Sequence, residues 1–382
     1  MRTALVAISA ALAFTLPLSA EEDASPSSSV AVGQTKTPAP APSEIVAAAP
    51  KADWVAIASE DLLVMTLAPD ADGKPRQVVI QLMPAPFSQG WVHNIRLFAR
   101  AKWYDGISVN RVQDNYVTQW GDPNYDNPEA TGKPKPLPEG LKVMGESEYV
   151  AADLLSIPDP RGRPRINYSL AARMTSNAMI AANGSVVVPE AFRDALESGE
   201  RPDNFEMPEM GDAYAPFATL ALGWPVAGSM RETAGSPTGF WPTHCYGMVG
   251  VGRNYSPDTG SGAELYTVIG HAPRHLDRNI ALVGRVIEGM QHLSSLPRGS
   301  GALGFYTAEE AAKRTPILSV RVASDLAPSE QPQFEYLSTE SETFATYAEA
   351  IANRRDPFFI VPAGGADICN IRVPVRRVAA AG

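Results

Sequence analysis

Apolar positions along this chain fall mostly into short runs of five to eight residues, and only four stretches carry a helical spacing. Residues 62–67 (Leu-Leu-Val-Met-Thr-Leu) and 77–82 (Gln-Val-Val-Ile-Gln-Leu) flank the turn Asp70-Ala71-Asp72-Gly73-Lys74 and read as a β-hairpin, which Pro84 and Pro86 end. Trp91, Ile95, Leu97, Phe98 and Ala99 then recur at helical spacing through residues 90–102, and the Asp105-Gly106 turn closes that helix. Further strands are expected at 109–121, 245–252, 265–270, 280–286 and 317–322, with short helices at 288–295 and 344–352 and a strand-like run at 358–361. Many strands, tight turns and few helical residues predict a mainly β fold: a closed antiparallel barrel capped by helices.

The pattern is interrupted twice. Residues 124–140 are rich in Pro, Gly and Asn, and no clear run of strands resumes until after Tyr214. Between them lie a basic turn at 161–163, a strand-like piece at 185–188 and a helix candidate at 189–197. Residues 124–244 therefore read as a long insertion in a domain spanning 51–325, with 326–382 as a C-terminal extension. Residues 21–50 are Ala, Pro and Ser with no periodic apolar pattern, the composition of a flexible linker. Before it, a basic start at Arg2, an apolar stretch to Leu18 and Ser19-Ala20 ahead of an acidic segment describe a secretory signal peptide over 1–20. A periplasmic or secreted protein is expected, with no membrane span once the signal is cleaved.

Composition narrows the partners. The 382 residues are 45% hydrophobic, enough for a real core. A formal charge of -10 gives no cationic surface for a phosphate backbone, so nucleic acid is not an expected partner. The two cysteines, Cys245 and Cys369, could be bridged in an oxidising compartment or buried separately; their spatial geometry decides. His271 and His275 have HxxxH spacing, but Pro273 lies between them and no acidic residue joins them, so no metal site and no cofactor are expected. No Gly-x-Ser-x-Gly elbow occurs, which removes one class of hydrolase.

Arg111 needs an explanation that a leucine in its place would not. It follows Val109-Asn110 and precedes Val112 in a strand-like stretch, and a guanidinium buried there without a partner is costly. One reading is a structural ion pair with Asp114 or Asp122. The other is chemistry. Around it stand Tyr104-Asp105-Gly106, Tyr116-Val117, Gln119 and Gly121-Asp122; later come Met248-Val249-Gly250-Val251-Gly252, Glu264-Leu265-Tyr266, Leu276-Asp277, Val283-Gly284-Arg285-Val286 and Glu288-Gly289-Met290.

In that order these motifs resemble the cyclophilin-type peptidyl-prolyl cis-trans isomerases, over roughly residues 62–123 and 245–322. The resemblance implies a cyclophilin-like barrel and catalysed rotation about X-Pro bonds in proline-containing polypeptides, without a cofactor. It implies that Arg111 is the catalytic donor and that Gln119 fixes the guanidinium or binds a substrate carbonyl. Tyr116, Val117, Tyr266 and Leu276 would form the proline pocket, Val249 and Gly250 the peptide groove, and Glu264 and His275 its border. Departures from the family pattern are His275 for a rim Trp, Ile280 for a rim His, Glu264-Leu265-Tyr266 for Gln-Phe-Phe, Gly250 for Asn and Trp120 for Gly. The alternative is a non-catalytic module or chaperone that holds Pro-containing peptides in the same groove.

The chemistry fits an arginine. Rotation about an X-Pro amide has a barrier of about 20 kcal/mol because resonance gives the C–N bond partial double-bond character. No nucleophile is required. An apolar pocket must grip the ring, and a fixed donor must stabilise the nitrogen as it loses conjugation.

Overall fold

The computed structural model describes residues 39–125, 130–151, 212–230 and 237–378. The expected signal peptide, most of the expected linker, and the elements expected at 161–163, 185–188 and 189–197 lie outside the described residues.

The first elements are α1 (Pro42–Ala47), β1 (Trp54–Ala56), β2 (Leu62–Leu67) and β3 (Arg76–Leu82). They are followed by α2 (Gln89–Arg100), β4 (Ser108–Val112) and β5 (Val117–Gly121). Part of the insertion is a separate meander of β6 (Phe217–Ala221), β7 (Trp224–Met230) and β8 (Pro237–Pro242). The barrel resumes with β9 (Met248–Val251), β10 (Leu265–Val268), β11 (Leu282–Glu288), the one-turn α3 (Gln291–Ser294) and β12 (Ile317–Val322). The chain ends in β13 (Phe334–Leu337), α4 (Glu342–Ala352) and β14 (Val375–Arg377).

Eight strands form one antiparallel sheet in the order β12-β2-β3-β11-β9-β10-β5-β4. Its two edges meet through Val109 N to Thr315 O (2.9 Å), Ile317 N to Ile107 O (2.8 Å) and a bridge between Ser108 and Pro316. Edge groups that would otherwise be unpaired are satisfied there, and the sheet closes nearly to a barrel. Val78, Ile80, Val109, Val112, Trp120, Val249 and Leu282 fill the interior with the apolar face of α2, which presents Trp91, Ile95 and Phe98. The helix also holds a loop: Trp91 Nε1 donates to Thr259 O (3.0 Å) and Asn94 Nδ2 to Ser261 O (3.0 Å). That loop is one wall of the site described below.

The linker expected to run to Pro50 stops short of it. In α1 Glu44 side-chain oxygen accepts from Ala41 N at 2.8 Å, and Ile45, Val46 and Ala49 pack on a second core with Trp54, Leu337, Phe344 and Ile368. This core belongs to the extension, where β13 pairs with both β1 and β14. Residues 358–361, expected as a strand, are instead an exposed loop; Phe358, Ile360 and Val361 pair with no strand among the described residues and lie in solvent. Cys245 and Cys369 are bridged, with Cα atoms 5.0 Å apart, tying the extension to the segment that enters β9.

Candidate active site

β4 is bulged, and the bulge explains the arginine among valines. Its register against β5 shifts between Val109 and Arg111, so both Val109 and Val112 enter the core while Arg111 is turned out opposite Gln119. Asn110, fully buried at the bulge, donates to Gly121 O at 3.1 Å. Arg111 pairs with neither Asp114 nor Asp122. Its Nε donates to Leu303 O at 2.6 Å, Nη1 to Gln119 Oε1 at 3.1 Å, and Nη2 to Gln113 Oε1. The guanidinium lies over the rings of Tyr116 (5.6 Å) and Phe305 (5.4 Å). Burial draws its pKa down from the ordinary value, opposed by the charge of Glu264 and the Tyr116 and Tyr266 phenols. Of five N–H groups, three have acceptors among the described residues, which leaves one on each Nη nitrogen.

Gln119 is itself fixed. Its Nε2 donates to Glu264 Oε2 at 2.5 Å, so its carbonyl oxygen is the end that faces Arg111. Glu264 is nine-tenths buried, with its carboxylate packed against the Cα face of Gly121. The pair of bonds makes a short relay, Arg111 to Gln119 to Glu264, along the edge of a groove of about 600 Å³.

The groove has an apolar end formed by Tyr116, Val117, Tyr266, Leu276 and Ile280, where Val117, Tyr266 and Val268 pack as a small cluster of their own. The loop carrying Gly252, Asn254, Asp258 and Ser261 also lines the groove, and beside Arg111 stand Leu303 and Phe305. Seven of the residues singled out from sequence therefore line one groove: Arg111, Tyr116, Val117, Gln119, Glu264, Tyr266 and Leu276.

Three do not. Val249 points into the barrel core, because on β9 it and Val251 take the inward face. Gly250 takes the outward face but has no side chain to offer; it is covered by Tyr266, and a Cβ there would collide with the tyrosine ring and hydroxyl. His275 is exposed outside the groove, since its neighbours Arg274 and Asp277 occupy the inward positions of the same turn.

Residues that sequence patterns did not mark complete the site. His244, fully buried, accepts or donates at both ring nitrogens: Nδ1 lies 2.9 Å from Asp277 Oδ1 and Nε2 lies 2.8 Å from the Tyr266 hydroxyl. Arg274 joins Asp277 Oδ2 (2.6 Å) to Asp212 in the insertion (2.9 Å). Burial lowers the His244 pKa, and Arg274 and His275 add to that; the Asp277 carboxylate works the other way. Burial raises the Tyr266 phenol well above its usual value. Leu303 and Phe305 come from a loop with no periodic signal, and a lone His beside Cys245 carries no motif.

The chain matches the family model described as "Cyclophilin type peptidyl-prolyl cis-trans isomerase/CLD" over residues 76–322. No curated protein sequence matches it. Among solved structures it is similar to the crystal structure of the cyclophilin AquaCyp293 from Hirschia baltica, with a TM-score of 0.54 and 18% identity over 86% of this chain and 95% of that one. That likeness shows a shared fold, while the family match covers most of the barrel and both halves of the groove. The chain therefore belongs to the cyclophilin family and is a peptidyl-prolyl cis-trans isomerase.

Proposed function

We propose that the protein is an exported isomerase that turns X-Pro bonds in periplasmic or secreted polypeptides, and that Arg111 is its catalytic donor. The observation that carries the reading is the tethered guanidinium at the border of an apolar pocket, with an N–H left on each Nη nitrogen. A proline ring seated against Tyr116, Val117, Tyr266 and Leu276 would bring its nitrogen toward Arg111. As the amide twists, the nitrogen loses conjugation and gains a lone pair, and a fixed cationic donor favours that state over the planar one. Gln119, oriented by Glu264, holds the guanidinium rather than reacting. No bond is made or broken, so no base or nucleophile is required.

Export is supported by the signal-like residues 1–20 and by the Cys245–Cys369 bridge, which suits an oxidising compartment. The test of the catalytic reading is a protease-coupled assay on a panel of X-Pro peptides. Arg111→Ala is expected to lower kcat/KM by on the order of 10²–10³-fold, the usual effect of removing one transition-state donor. An Arg111→Ala enzyme as fast as the parent would overturn it.

A further inference from the structure

Tyr266 stands opposite Gly250 on β9 and leans across that strand, so its hydroxyl reaches the segment preceding the strand rather than the groove. There it meets His244. Because Asp277 Oδ1 accepts from both the His244 backbone N–H and its Nδ1, the proton sits on Nδ1, and Nε2 is left as an acceptor for the tyrosine O–H. Asp277 is in turn held by Arg274, and Arg274 by Asp212; the side chains of all three are almost fully buried. Tyr214 lies over the same arginine at 5.3 Å. A continuous polar chain thus runs from the insertion to one wall of the apolar pocket.

We infer that His244 is a positioning residue for the isomerase: by holding the Tyr266 hydroxyl down across Gly250, it keeps the ring flat in the groove wall and sets the depth of the ring-binding pocket. The inference rests on the assignment of this pocket to proline. A tyrosine without that acceptor would have a buried hydroxyl and no partner, and the relief available is for the ring to swing toward solvent and fill the pocket. The absent side chain at Gly250 and the buried imidazole are then two parts of one arrangement. The insertion contributes through Asp212, which fixes the arginine that fixes the aspartate. Specificity for ring size follows from depth. A pocket narrowed by a raised ring rejects a six-membered imino acid more than a five-membered one, and a four-membered one least.

The experiment measures KM and kcat of the full chain on three peptides that differ only in azetidine-2-carboxylate, proline or pipecolate at the ring position. His244→Leu is expected to raise KM for the proline peptide about tenfold with kcat nearly kept, the pattern of lost ground-state binding, and the rise should grow in the order four, five, six. His244→Gln, whose carbonyl can accept from the tyrosine, restores KM. His244→Leu combined with Tyr266→Phe also restores it, since a phenylalanine has no hydroxyl to expel, and a merely structural histidine would not be rescued this way. Unchanged ring-size selectivity in a folded His244→Leu protein, or failure of the double variant to recover, overturns the inference. Should His244→Leu not fold, Asp212→Asn takes its place, with a smaller shift in the same order expected and no shift overturning the proposal. Leu276→Trp, which fills the pocket directly, separates the two readings. If it leaves turnover on all three peptides intact, the pocket assignment is wrong; if it blocks turnover while His244→Leu changes nothing, only the positioning role is.

Discussion

At the scale of single residues, the groove depends on side chains that hold one another rather than on isolated donors. Gln119 has a carbonyl and an amino end that differ in what they offer Arg111, and Glu264 decides between them by accepting from Nε2. Glu264→Gln keeps an acceptor of the same shape, so kcat/KM is expected to fall only a few-fold. Glu264→Leu removes the acceptor and lets Gln119 turn its amino end to the guanidinium, and a loss of about tenfold or more is expected from the unpaired contact. Equal kinetics for the two variants would show that Gln119 needs no fixing. Arg111, Tyr116 and Gln119 stand close together in the sequence, on two adjacent strands and the turn that joins them, so a local pattern could mark them. His244 was not: its partners Tyr266 and Asp277 lie 22 and 33 residues away, and nothing in a local pattern joins them.

At the scale of elements, the loop from Pro297 to Thr307 shows how an irregular segment is made rigid enough to hold Arg111. Leu303 adopts a left-handed backbone (φ 56°) that a branched side chain rarely takes, and its carbonyl receives the Arg111 Nε proton. Glycine at 304 (φ 81°) lets the chain pass close over Gln113. The base is clamped by one carboxylate: Glu310 accepts from Ser300 N (3.0 Å), Thr307 N (3.2 Å) and Lys313 Nζ (2.5 Å). The Lys313 ammonium first, then the Ser300 amide, hold its pKa down to about 2 from an ordinary value near 4.5. A carboxylate whose folded pKa is depressed stabilises the fold above its unfolded pKa, and that contribution is lost as pH falls from about 4.5 toward 2. The Tm difference between the parent and Glu310→Gln is therefore expected to be largest near pH 6 and to shrink between pH 5 and 3. A gap constant across that range would remove the carboxylate from the account. This loop was not legible because it contains no periodic apolar pattern, whereas β2, β3 and β12 were found at or within a residue of their observed bounds from uninterrupted β-type runs.

At the scale of the whole molecule, the barrel was legible and what surrounds it was not. Strands β6 to β8 contain Pro225, Pro237 and Pro242 and two glycines, Gly228 and Gly239, and β1, β13 and β14 are only three or four residues long, so neither group carries a strand signal of its own. They are fixed by contacts distant in sequence. Gly223 at the β6–β7 turn donates to Thr339 Oγ1 and accepts from Arg285 of β11, a buried guanidinium whose pKa burial pulls down to about 10. Cys369 packs against both the barrel core and the core of the extension, and its bridge to Cys245 closes a loop of 124 residues. Closing a loop of that length restricts the unfolded chain by on the order of 4–5 kcal/mol. The extension has a small core of its own, so it should feel the loss first. With the bridge intact, urea unfolding followed by tryptophan fluorescence is expected to show one transition, because Trp54 in the extension core and Trp91 and Trp120 in the barrel lose structure together. After reduction, or in a Cys245→Ser/Cys369→Ser double variant, the extension should unfold at lower urea than the barrel, giving an early transition that a Trp54→Phe background removes. Identical midpoints with and without reductant would mean that the packing of Phe334 of β13 on Leu62 and Val64 of β2 and the Arg377–Glu288 ion pair, rather than the bridge, hold the two cores together.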